Sequence, residues 1–256
     1  MAPTRYIGIT DFTTYEQVEE MYEVCKKFVA HESVPKLHVG VMMSYKTLNS
    51  LPTKWANAYP SKQTIAQIFS TLPVMNCLHY ADYTNTNVAS SLISAIGWGG
   101  DNLHALQLDM VWPDPSVVCF ALHAAGMRLE VILQINAEAM RHCDDTPVAV
   151  AKRLDNYQGV ATHVLLDKSM GRGKGMDAEA LIPYAEAISE RHPELGLVVA
   201  GGLGPYTGSL AQPFLRRFPM ASVDAQGQLR SSGSALDPIE WDRATTYLKN
   251  MLLLMQ

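Results

Sequence analysis

Acidic residues recur in this chain at the ends of short apolar, β-branched runs. Asp11 follows residues 5–10, Asp109 closes 103–109, Asp167 closes 162–167 and Asp224 closes 222–224. Thr10, Met43 with Ser44, Tyr80 with Asp82, and Gln134 with Asn136 stand at the remaining run ends. A carboxylate set against apolar surroundings can exchange protons near neutral pH, because burial disfavours its charged form. One such residue can be a helix cap or a loop residue, but four or five at equivalent places exceed what solubility requires. Asp167 carries a further alternative, because Lys168 follows it directly. Strand alternation puts His163, Leu165 and Asp167 on one face, and Val164, Leu166 and Lys168 on the other. An inward Asp167 fits proton transfer on a sugar, whereas an inward Lys168 fits Schiff-base chemistry in an aldolase or lyase.

Glycines supply the second chemical signal. Val198-Val199-Ala200 runs into Gly201-Gly202-Leu203-Gly204, and Ser222-Val223-Asp224 runs into Ala225-Gln226-Gly227. Glycine lets backbone N–H groups approach an anion without interference from a side chain. Two such turns in succession suit a phosphate cup made by Gly201, Gly202, Gly204, Ala225, Gln226 and Gly227. The loop after Asp167, residues 169–177, is glycine-rich and basic. It offers Arg172 as a substrate-binding cation, with Asn136 as a polar partner, or it is a solvated turn before a helix capped by Asp177.

Other chemistries find little support. The histidines form no HxH or HExxH pattern and the cysteines no CxxC, so neither a metal nor a cofactor is expected. His38, His79, His104 and His163 lie in strand-like runs, and at least three of them are expected to be core or rim histidines with satisfied hydrogen bonds. The formal charge is −5 and no Lys/Arg block exceeds two residues, which argues against nucleic acid. No apolar run approaches the roughly 20 residues that span a bilayer, so no membrane contact is expected. Cys25, Cys77, Cys119 and Cys143 are widely spaced, as suits buried, reduced thiols of a cytoplasmic protein. The expected partner is a phosphorylated small molecule, and Met and aromatic residues on outer helices would suit a homodimer.

These groups need a scaffold that collects strand ends on one face. Strand-like and helix-like segments alternate eight times along the 256 residues. Strands are expected over 5–10, 36–43, 74–80, 103–109, 128–135, 162–167, 197–200 and 222–224. Helices are expected over 13–30, 61–70, 88–96, 114–125, 147–157, 177–191, 208–218 and 238–254. Thr13 or Thr14 with Glu16 or Gln17 makes a capping box for the first helix. Val131-Ile132-Leu133 and Val164-Leu165-Leu166 are apolar throughout, as in parallel strands covered on both faces. The length matches one (β/α)8 TIM barrel, whose active site lies at the C-terminal strand ends. No linker divides the chain, so a single domain over 1–256 is expected. The long connection 44–60 after the second strand is of the kind that serves function or moves.

Several of these pieces resemble phosphoribosylanthranilate isomerase, a (β/α)8 barrel of tryptophan biosynthesis. Arg5-Tyr6-Ile7-Gly8-Ile9-Thr10 is similar to that family's Lys-Ile-Cys-Gly-Ile-Thr. Val39-Gly40-Val41-Met42 resembles its second strand, and Leu106-Gln107-Leu108 the Val-Gln-Leu before its His-Gly. Leu165-Leu166-Asp167 with its glycine loop resembles the sixth strand. Gly201-Gly202-Leu203 is the nearest match, and Ala225-Gln226-Gly227 falls where the family has Ser-Ser-Gly. The resemblance implies an Amadori rearrangement of a phosphoribosyl amine, with Asp167 as the general acid. It departs from the family at the chemistry: Ile7 falls at the general-base Cys, Asn49 near the anthranilate-binding Arg, and Asp109-Met110 at the His-Gly. Asp11, on the face of Ile7 and Ile9 if the strand continues, or Asp109 would then serve as base. Without a base the chain would be a non-catalytic relative that binds a phosphorylated metabolite.

Overall fold

The computed structural model describes residues 2–28, 34–167 and 176–256. Eight parallel strands close into a barrel in sequence order, with the eighth hydrogen-bonded to the first. They are β1 (Tyr6–Thr10), β2 (Lys36–Ser44), β3 (Met75–Ala81), β4 (Ala105–Asp109), β5 (Glu130–Asn136), β6 (His163–Asp167), β7 (Gly196–Ala200) and β8 (Ser222–Ala225). The expected TIM barrel is therefore the observed fold.

Helices alternate with the strands: α1 (Tyr15–Lys26), α2 (Tyr45–Leu48), α3 (Ile65–Ile68), α4 (Val88–Gly99), α5 (Pro115–Ala125), α6 (Ala137–Arg141), α7 (Pro147–Arg153), α8 (Ala178–Arg191), α9 (Gln212–Arg217) and α10 (Trp241–Leu254). Local chemistry sets many of their starts. Thr14 and Gln17 form the expected reciprocal capping box on α1. Asp114 caps α5 with Pro115 in the first turn, and Gly126 ends it in the left-handed region. Asp177 caps α8 by accepting from the Ala180 N–H at 3.0 Å.

The helix layer is thinner in places than the sequence suggests. The expected helix 61–70 is a single turn, α3, preceded by turns at 62–64 and ended by Phe69 in extended backbone. The segment expected as a helix over 147–157 becomes α7 followed by a 3₁₀ turn at Leu154–Tyr157. The one expected over 208–218 becomes a 3₁₀ turn at Gly208–Ala211 and the short α9. Alpha-helical structure begins at Trp241 rather than at 238. The long connection after β2 carries α2 and a series of turns.

Strand alternation divides the core in two. Ile7, Ile9, Val39, Val41, Leu106, Leu108, Val131, Leu133, Val164 and Leu166 pack outward into one large cluster with the helices. Tyr6, Met75, Cys77, Ala105, Ile132, Leu165, Val198 and Ala200 form a separate cluster inside the barrel. Tyr6 fills the lower interior, its ring stacked on His38 with centroids 4.5 Å apart. At that end His163 Nε2 lies 2.9 Å from the Thr4 carbonyl and Nδ1 2.9 Å from the Thr162 hydroxyl. The upper interior is polar, and that is where the strand ends converge.

Of the cysteines, Cys25, Cys77 and Cys143 are buried free thiols, as expected. Cys119 is exposed instead, because it lies on the outer face of α5 beside Phe120. No helix among the described residues is long and apolar enough to cross a membrane.

Candidate active site at the barrel mouth

A cavity of about 110 Å³ opens at the C-terminal ends of the strands. Its floor and walls include Thr10, His79, Gln107, Asp109, Gln134, Asp167 and Asp224, and its rim on one side is Gly201, Gly202, Gln226, Gly227 and Gly233. Three strand-end carboxylates and both glycine turns thus share one cavity. Asp167 faces it with Leu165, so alternation in β6 resolves in favour of the carboxylate. Lys168 and Arg172 lie outside the described residues.

Asp224 is the most perturbed of the three. Burial pushes its pKa up to about 7, with further upward contributions from Asp11 and Asp167. Hydrogen bonds from the Thr10 hydroxyl, at 3.1 Å, and from the Ala225 backbone act in the opposite sense. Its place depends on Gly8 across the β8–β1 pair: a Cβ at Gly8 would come within 2.6 Å of Asp224 Oδ1. The sequence marks Asp224 as a strand-end acid but gives it no role. The signal was available in the inward alternation of Ser222 and Asp224 opposite a glycine strand.

Burial also raises the pKa of Asp109, and Asp167 adds to the rise. The Tyr83 hydroxyl opposes it by donating to Asp109 Oδ1 at 2.5 Å. Gln107 Nε2 donates to Gln134 Oε1 at 3.1 Å, bracing two neighbouring strands at cavity level. Tyr59 closes the long connection after β2, and burial followed by Asp11 and Asp109 pushes its phenol up. The connection therefore returns to the mouth.

On the glycine side, Gly201 and Gly202 have φ of 100° and 71°. That backbone is open to glycine and strained for any other residue. The Thr207 hydroxyl donates to the Gly202 carbonyl at 2.7 Å, fixing the turn. Gly204 serves differently: a Cβ there would meet the Gln228 backbone oxygen at 2.9 Å, so it lets the β7 and β8 loops touch. Gly204 is not in the cavity wall.

Besides Gly204, two expected site residues are placed elsewhere. β1 ends at Thr10, and Asp11 takes φ of 96°. Its Oδ2 accepts from Arg230 at 2.5 Å and from Gln226 Nε2 at 3.1 Å. Asp11 thus forms a buried ion pair outside the mouth cavity and lines a neighbouring one of about 750 Å³ with Tyr59, Arg230 and Trp241. Ile7 and Ile9, whose face it was expected to share, look out toward the helices. Asn136 caps α6, accepting from the N–H groups of Glu138 and Ala139 at 3.0 and 2.9 Å. Asn49 ends α2 at an exposed position, its side chain bonded to the Tyr45 carbonyl.

The histidines divide evenly. His104 Nδ1 accepts from the Asn76 N–H at 3.1 Å, and His163 is bonded as described. His38 has no hydrogen bond at either ring nitrogen among the described residues, and His79 none at Nε2. Two rather than three of the four are satisfied. Spatially, His38, Cys77 and His79 form a group of possible metal ligands that linear spacing concealed.

No protein-family model matches this chain, and no curated protein matches it in sequence. Its structure is similar to solved barrels. Phosphoribosylanthranilate isomerase from Thermotoga maritima superposes with a TM-score of 0.57 at 17% identity, covering 96% of this chain and 98% of that one. TrpF from Jonesia denitrificans gives the same score and identity, with 96% of each chain covered. A β-mannanase from Thermomonospora fusca reaches 0.51 at 12% identity, covering 94% of this chain and 85% of the other. At these identities the likeness is one of fold.

Proposed function

We propose that this barrel is an acid/base isomerase acting on a phosphorylated sugar or phosphoribosyl compound. The observation that carries the reading is Asp224: a buried carboxyl with a pKa of about 7, sharing one cavity with Asp109, Asp167 and the paired glycine turns. A group that titrates at working pH can both give and take a proton. Asp224, Asp167 and Asp109 reach the cavity from three separate strands, so acid and base can address different atoms of one small substrate. Isomerisation of an aldose-type substrate needs that division: one group protonates or deprotonates the ring or carbonyl oxygen, another moves the proton at C2.

The phosphate would lie against Gly201, Gly202 and Gly227, held by backbone N–H groups. No Lys or Arg among the described residues lines the cavity. Arg172, expected as a substrate-binding cation, lies outside the described residues. The fold shared with phosphoribosylanthranilate isomerase, one of whose solved forms derives from a dimer, makes a phosphoribosyl substrate and a homodimer natural choices. One observation favours a binding-only relative: the position matching the family's catalytic Cys is Ile7, which faces the helices.

The test is proton exchange in deuterium oxide. Triose to hexose phosphates and phosphoribosyl amines are incubated with the protein, and the C2 proton is followed by NMR. Exchange or isomerisation by the wild type, lost in Asp224→Asn and Asp167→Asn, is the expected result. A melting-temperature rise with these ligands but no exchange would leave only binding. Exchange that survives both substitutions would overturn the assignment.

A further inference from the structure

Beneath the mouth, on the inner faces of β2 and β3, the barrel interior holds His38, Cys77 and His79. All three are buried, and their ligand atoms lie within 4.8 Å of one another. β3 alternation turns Cys77 and His79 inward, and the β2–β3 register sets His38 one step below Cys77. The His38 and His79 rings are 5.2 Å apart.

Buried polar atoms in proteins are nearly always bonded. Here both nitrogens of His38 and Nε2 of His79 make no hydrogen bond among the described residues. The Cys77 thiol has a long contact, 3.8 Å, to the carbonyl of the next residue, and the Gln107 backbone lies beside it. Gly40, between the two histidines in the sheet, keeps the space open: a Cβ there would come within 3.0 Å of His79 Nε2. Three potential ligand side chains therefore converge on one another in the buried interior.

We infer that His38, Cys77 and His79 form a binding site for one zinc-class divalent cation. Two imidazoles and a thiolate are the donors such ions prefer, and the absence of carboxylates from the set disfavours magnesium and calcium. Tetrahedral bonding needs ligand atoms about 3.3–3.8 Å apart, so binding would draw these side chains in by roughly 1 Å. The Cys77 proton must leave: the ion binds the sulfur, and one proton passes to solvent per ion bound. His79 also lines the mouth cavity, so the site lies directly beneath it. Three protein ligands leave one position of a tetrahedral ion for a further ligand. The inference does not depend on the proposed isomerase reading, because its readout is metal binding.

The experiment uses the full chain and the metal alone. The protein is equilibrated with zinc or cobalt(II), freed of loosely held ion by gel filtration, and assayed for metal content, released protons and absorption. The expected result is one ion and one proton per chain, with cobalt spectra showing tetrahedral d–d bands and a thiolate charge-transfer band. Cys77→Ser should abolish the charge-transfer band, and His79→Gln should weaken binding at least about tenfold. Cys119→Ser, at the exposed thiol, should change neither. Failure of the wild type to retain an ion overturns the proposal, as does a charge-transfer band that survives Cys77→Ser or disappears in Cys119→Ser.

Discussion

Replacing Asp224 by Asn should stabilise this protein at alkaline pH, although it removes the group proposed to move protons. The side chain is buried, and its pKa rises from 3.8 to about 7, chiefly through desolvation. A group whose folded pKa lies above its unfolded value contributes its full stability only below the unfolded pKa. That stability is lost as pH climbs through the folded one. Below about pH 4, folded and unfolded wild type both hold the proton, and the two proteins should melt together. Between about pH 4 and pH 7 the wild type loses about 1.4 kcal/mol per pH unit, reaching about 4 kcal/mol in all. The Asn variant has no such slope, and its amide oxygen can still accept from Thr10. For a chain of this length the difference is on the order of 10 °C in melting temperature. The assay is a series of thermal or urea melts from pH 4 to 8.5 on both proteins, with a chelator present so that no cation alters the titration. Curves that stay parallel across the range would refute the reasoning, because Asp224 would then ionise in the fold as readily as in the unfolded chain.

Two further outcomes are expected. Gly202→Ala places a Cβ at φ of 71° and should lower stability by about 1–2 kcal/mol. If the glycine turn is the phosphate cup, the variant should also lose most of the melting-temperature rise that sugar phosphates give the wild type. An unchanged rise would move the phosphate elsewhere. Arg230→Met leaves the Asp11 carboxylate buried without its partner and should destabilise by about 3–5 kcal/mol in urea unfolding. Arg230→Met with Asp11→Asn should recover part of that loss, which would identify the pair as structural.

The scaffold was legible because its signals are local and repeated. Continuous apolar runs, the Thr14–Gln17 box, and Asp114-Pro115 before α5 with Gly126 after it each reflect a few neighbouring residues. The inward turn of Asp167 followed from alternation once the barrel was closed. What failed to show was whatever depends on a neighbour distant in sequence. Asp11 reads as a strand-end acid, yet Arg230, 219 positions away, takes its carboxylate. Asn136 reads as a polar strand end, yet the short α6 begins directly after it and uses it as a cap. His38 and His79 reads as ordinary strand histidines, since the lateral pairing of β2 with β3, rather than any spacing along the chain, brings them together.

Glycines on the inner faces of β1 and β2 explain why the centre of this barrel is polar at all. In a filled barrel, layers of branched side chains exclude charge. Here Gly8 yields its place to the Asp224 carboxylate, and Gly40 yields its place to Thr10 Oγ1 and His79 Nε2. Each glycine removes one side chain from a layer and lets a polar group from the adjacent strand cross into the gap. The resulting burial raises the Asp224 pKa to about 7. Filling either gap with Ala would push a polar group back toward its own strand and break the arrangement from which both the proton-transfer reading and the metal site are argued. The proton-transfer reading and the metal reading thus share one structural cause, and the two glycines rather than the acids are its origin.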